Sequence, residues 1–138
     1  MACDLQFTES NSKWKGLTKV YAFAAHPKTY SKCDFIMGFA GAASAIIAVA
    51  EFFSLPDVVK PPKIKGLTGL VLTQQGKIFA WDDYDKWLLV NQPYAAIGSG
   101  SPYAVGVMAN GGTPKEAVKA AIKHDIYSGF GVKSLSFN

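Results

Sequence analysis

The sequence predicts an α+β fold, and three observations carry that prediction. Short apolar segments with strand character fill most of the first two-thirds of the chain, one alanine-rich helix interrupts them, and two adjacent helices stand near the end. Strand blocks kept apart from helix blocks favour segregated layers over an alternating parallel sheet. The 138 residues suffice for one domain with a core,. An apolar fraction of 49% against 17% charged residues excludes a disordered chain,. The expectation is one domain over residues 1–138.

In chain order, "MACDLQFT" alternates apolar and polar residues after Asp4 and reads as the end of a strand,. "KVYAFAA" (19–25) and "CDFIMGFAG" (33–41) are aromatic-rich strands on either side of a loop marked by His26-Pro27,. From Ala42 to Phe53 the alanines with Ile46, Ile47 and Val49 predict a helix apolar on most of its surface, hence covered on several sides,. Pro56, Pro61 and Pro62 then exclude helix or central strand,. "GLVLTQQGKIFAW" predicts a hairpin with Gly76 at a positive φ,. "WLLVN" and "YAAIGSG" are further short strands separated from that hairpin by the charged turn "DDYDKW". Ser101 is the expected cap of a helix with Pro102 at its first position, ended by Gly111-Gly112,. Thr113-Pro114-Lys115-Glu116 is a capping box that opens a second helix through "AVKAAIKHD",.

Several function classes lose support at this level. The formal charge of +4 comes from scattered lysines without the aromatic interleaving of a nucleic-acid module,. Cys3 and Cys33 have no CxxC partner, which points to free buried thiols in a reducing compartment rather than a disulfide or zinc site,. The apolar stretch Phe35–Phe53 is short of a membrane span and is bracketed by Asp34 and Glu51,. Asp82, Asp83 and Asp85 lack the glycine and distal glutamate of a calcium loop, so they read as a solvated turn,. His26 and His124 have no second ligand at helical spacing and read as a loop residue and a helix C-terminal cation,. The run Gly98-Ser99-Gly100-Ser101 has neither a nucleophile-elbow spacing nor the lysine of a phosphate loop,. No cofactor and no metal are expected.

Two corners resist a purely structural explanation. Gly38 and Gly41 stand at a strand end, with Gly41 opening a helix, where backbone N–H groups can stabilise an oxyanion,. "AIGSGSPYAVGVMANG" places small residues and a hydroxyl at a second strand-to-helix corner. Two such corners in one chain suggest the floor of an active site.

These segments resemble the proteasome β-subunit family. "MACDLQFT", "GFAGAASAIIAVAEFF" and "AIGSGSPYAVGVMANGGTPKEAVKAAIKHD" are similar, in order and over nearly the whole chain, to bacterial HslV-type peptidases and their short phage-encoded relatives. The resemblance implies the four-layer αββα sandwich of N-terminal-nucleophile hydrolases, here lacking the first strand and one outer helix. Members attack with an N-terminal threonine whose own α-amine is the base. Carried over by position, Asp4 matches the supporting aspartate and Lys19 the lysine, with Lys15 a weaker match. Gly41 matches the oxyanion glycine, Ser99 the distal serine and Asp125 the late aspartate.

The departures set the expected function. The threonine and its strand precede the segment matching Met1–Thr8, excision of Met1 exposes Ala2, and Cys3 needs a second cleavage. Nucleophile and base must act together, so those positions are expected to be vestigial and not catalytic. The proline-rich "SLPDVVKPPKIKG" stands where a second long helix is usual, against docking to an unfoldase. The expectation is a non-catalytic structural subunit of a homo-oligomeric ring, in a phage virion or tail with other virion proteins, located in the cytoplasm or the virion. No nucleic-acid or membrane partner is expected. The alternative is an HslV-type threonine peptidase whose true N-terminus lies upstream of Met1.

Overall fold

The computed structural model describes residues 1–4, 6–9, 12–15, 19–23, 35–54, 65–81 and 87–137. His26, Cys33, Asp34, the three prolines at 56, 61 and 62, and the acidic turn of Asp82, Asp83 and Asp85 lie outside these residues, as does most of the segment expected to replace an outer helix.

Twelve elements are described. Strands β1 (Ala2–Asp4), β2 (Gln6–Glu9), β3 (Ser12–Lys15), β4 (Val20–Phe23) and β5 (Phe35–Gly41) lead into helix α1 (Ala43–Ser54). Strands β6 (Leu67–Thr73), β7 (Ile78–Trp81) and β8 (Trp87–Val90) follow, then helices α2 (Ser101–Ala109) and α3 (Pro114–His124), and strand β9 (Val132–Ser134). The main sheet is antiparallel in the order β4-β5-β6-β7-β8, and its strands meet in sequence, as short connections dictate,. β1 pairs with β9 from the far end of the chain, and β2 with β3 as a hairpin. Met1 and Leu135 extend the first of these ladders, each amide or amine donating to the other's carbonyl at 2.8 and 2.9 Å.

α1 packs on one face of the main sheet, against β4 and β5, while α3 packs on β1 and β9. The Met1 thioether lies against Gly38 of β5, so the small sheet faces the large one across the interior. The layers therefore run helix, sheet, sheet, helix. Met37, Phe39, Ala45, Ile46, Val49 and Leu67 form the buried cluster between α1 and the main sheet. Ile46, Val49 and Ala50 lie on one side of α1, while Ile47 and Glu51 are exposed. The expectation of a helix covered on several sides is thus corrected: within this chain α1 buries one stripe.

The turn chemistry follows the sequence. Gly76 takes φ +77 at the β6–β7 turn, where its N–H donates to Thr73 O at 3.0 Å,. Gly111 takes φ +83, and the Gly111 and Gly112 amides donate to Met108 O and Val107 O, closing α2 in a Schellman motif,. At α3 the Thr113 hydroxyl accepts from Glu116 N, and the Glu116 carboxylate accepts from Thr113 N,.

Three local expectations are corrected. Tyr94–Gly100 forms no strand; Pro93 offers no ladder N–H, and Gly98 at φ +88 turns the chain into α2,. The cap of α2 is Gly100, with no side-chain hydrogen bond, so Ser101 opens the helix itself and Pro102 follows it. The chain also does not end as helix, since β9 returns to β1. Among the described residues, no helix is long and apolar enough to cross a membrane.

Candidate functional site

Between the main sheet, β1 and the α2–α3 pair lies a cavity of about 800 Å³. Leu70, Leu72 and Ile78 of the sheet and Met108 and Val118 of the helices give it largely apolar walls. Four of the five expected positions, Asp4, Lys19, Gly41 and Ser99, line it. Asp125 stands behind Ser99 and is not on the wall.

Asp4 ends β1 and Lys19 immediately precedes β4. The Lys19 backbone is fixed by its carbonyl, which accepts from Phe39 N at 2.9 Å. Its ammonium reaches Asp4 Oδ1 at 2.9 Å, with both side chains 15% exposed. Such a pair has lost most of its water and holds its geometry against salt better than a surface pair. Lys15, the weaker match for this lysine, lies in β3 opposite Gln6.

Gly41 ends β5 at φ +139, and a methyl there would stand 2.1 Å from the Gly66 carbonyl oxygen. That oxygen accepts from Ala42 N at 3.2 Å, which locks the entry to α1. The glycine is therefore demanded by packing as well as by any chemistry at the corner. At the second corner, Ser99 Oγ donates to Asp125 Oδ2 at 2.7 Å. Ser128 Oγ donates to the same oxygen at 2.7 Å, and Tyr127 N to Oδ1 at 3.3 Å. Ser128 also lines the cavity and was not singled out in the sequence. Its spacing, three residues after Asp125 at a helix end, is the only local signal for it,.

The remaining groups are the Cys3 thiol and the Met1 amine. Burial, first of all, pushes the thiol above its ordinary value, so it stays protonated at neutral pH,. Burial lowers the amine below its ordinary value of 8.0, and it donates to Leu135 O,. His124 is the last residue of α3, as expected, and its ring stacks on Tyr103 with centroids 5.4 Å apart. Among the described residues no cluster of His, Cys, Asp and Glu could hold a metal ion.

Two sheets between helical layers, with a cleft ending at β5 and α2, define the fold of N-terminal-nucleophile hydrolases of the proteasome and HslV type. Three solved structures show this in particular. BPH from Thiobacillus denitrificans, in complex with epoxomicin, matches with a TM-score of 0.72 and 18% identity over 96% of this chain and 88% of that one. HslV from Trypanosoma brucei matches at 0.68 and 16%, over 96% and 88% of the two chains. Anbu, an ancestral β-subunit from Yersinia bercovieri, matches at 0.66 and 10%, over 95% and 73%. No protein-family model and no curated protein matches the sequence.

Proposed function

We propose that this chain is a non-catalytic subunit of a homo-oligomeric ring built on the HslV-type fold, serving a phage virion or tail-associated assembly. The observation that carries it is that the reactive groups of the cleft are committed to one another. Lys19 is paired with Asp4, Ser99 and Ser128 donate to Asp125, and the half-buried Cys3 thiol is kept protonated by its surroundings. Covalent catalysis needs the nucleophile beside its base, and binding groups alone leave only a residual rate. A homo-oligomer of such a chain is expected to close with point symmetry, and the virion setting rests on the resemblance of its motifs to short phage-encoded relatives. Intact mass of protein from its native source, with particle images, tests this. A mass for a chain begun at Met1 or Ala2 together with closed rings supports it; a strictly monomeric protein rejects the ring.

A second reading has its own observation, the cavity itself. It runs beside β1, is walled by apolar side chains of two layers, and is bordered by Asp4, Lys19, Gly41 and Ser99. A further strand bearing an N-terminal threonine would fill it and bring a nucleophile to those groups. The protein would then be an HslV-type threonine peptidase whose N-terminus lies upstream of Met1. A native chain that begins at such a threonine and is alkylated by an electrophile directed at N-terminal threonine establishes this reading and ends the first.

A further inference from the structure

Helix α3 presents lysines 115, 119 and 123 at successive four-residue steps, all exposed, along about 12 Å of one face,. Helix stability does not explain the stripe. Lys115 stands in the first turn, where the macrodipole disfavours a cation, and like charges four apart repel,. Glu116, the one carboxylate within the helix, is engaged in the cap and acts electrostatically on Lys119 alone of the three, while Asp125 at the helix end accepts from Ser99 and Ser128.

The stripe runs into a cluster of exposed apolar side chains. Tyr103, stacked on His124, is 43% exposed, and Ile126, Tyr127 and Phe130 in the following loop are 65%, 54% and 45% exposed. Phe130 is the one non-glycine residue at positive φ among the described residues, at +59. A residue with a Cβ held there, with half its ring in water, is strained without the return of burial, and such strain concentrates at functional positions.

We propose that this face docks an acidic segment of another protein, one that carries an apolar side chain onto Ile126, Tyr127 and Phe130 while its carboxylates meet the lysine stripe. The pattern is an apolar anchor site beside a charged rim, as at protein interfaces. A two-fold contact with a second copy would set lysine stripe against lysine stripe, which like-charge repulsion opposes. For nucleic acid, Tyr103 is already covered on one face by His124, which leaves base stacking to Tyr127 and Phe130 alone, and the DNA comparator below reads that outcome,. Tyr127 also lines the cleft, so the face adjoins the cleft's rim, but the proposal depends on neither reading of the cleft's chemistry.

The test uses the full chain and fluorescence anisotropy with a labelled peptide of Glu-Glu-Leu-Phe repeats. A Lys-Lys-Leu-Phe peptide and a labelled single-stranded DNA of equal charge are the comparators. The acidic peptide is expected to bind, more weakly as salt rises. The paired charge reversals Lys119→Glu and Lys123→Glu, and separately Phe130→Gly, should each weaken it about tenfold or more. Phe130→Gly relieves the backbone, so its melting temperature should be no lower than that of the parent, which separates loss of docking from loss of fold. The idea is overturned by an acidic peptide that does not bind or ignores these substitutions, or by DNA that binds as tightly. Self-association abolished by the charge reversals, read by sedimentation, would also overturn it by giving the face to a second copy.

Discussion

Replacing Gly41 by alanine would place a carbon 2.1 Å from the Gly66 carbonyl oxygen and 3.0 Å from Leu67 Cα, both of them backbone. Neither atom can swing aside, so β5 and β6 must part at their end. Three costs add. Holding alanine at φ +139 costs about 1–3 kcal/mol,. Relieving the overlap costs about 1–3 kcal/mol. Loss of the bond from Ala42 N to Gly66 O, 3.2 Å in the structure, costs about 1 kcal/mol,. The total, about 3–7 kcal/mol, is a large part of the about 5–15 kcal/mol that holds a domain folded. Gly66→Ala is the internal control: its φ is +74, yet nothing lies within 4 Å of its added methyl, so it bears strain alone. Urea unfolding of both variants should separate their midpoints by about 1 M or more for a gap of about 2 kcal/mol. Equal midpoints would refute the close-approach explanation for Gly41.

The Lys19–Asp4 pair should behave as coupled, with Lys19→Met costing about 2–4 kcal/mol alone and the double variant Lys19→Met/Asp4→Asn less than the sum of its parts, read in a double-mutant cycle by thermal melting,. Thr113→Ala should cost about 1 kcal/mol and reduce helicity at α3 by circular dichroism,. Bonds from Thr113 hold the Glu116 carboxyl below its ordinary range, so the cap's contribution is present above the unfolded pKa and is lost as pH falls through the folded one,. That acid-side loss should be absent in Glu116→Gln. The Met1 amine is lowered by burial, so the unfolded chain binds the proton more tightly. Stability should therefore rise with pH between the lowered value and 8.0, and acetylating the amine should remove that rise,.

What could be read from the chain beforehand was whatever is encoded within a few residues. The β5–α1 corner follows from glycines at a strand end before an alanine run, the β6–β7 turn from Gly76, and the start of α3 from Thr113 and Glu116. Asp4, Lys19, Gly41 and Ser99 do converge on one cavity, although the motifs that carry them are far apart in sequence. Non-local pairing hid the rest. β9 is three residues of Val-Lys-Ser whose reason for being extended is β1, some 130 positions away. Tyr94–Ile97 has strand-like composition but no neighbour to pair with, and Gly98 turns it away,. Ser128 was missed because a serine after a helix is ordinary until the carboxylate it meets is seen to be shared with Ser99.

The bond between Met1 and Leu135 joins residues 134 positions apart, and so knots the two ends of the chain into a clasp. Closing so long a loop costs about 4 kcal/mol in chain entropy, against a ladder of three residue pairs between β1 and β9,. A long closed loop held by so short a ladder is expected to open before the main sheet does, which amide exchange of β1 and β9 would read,. Asp4 is the last residue of β1 in that clasp, so opening it would carry Asp4 away from Lys19. The charged pair in the cleft is therefore coupled to the pairing of the two terminal strands.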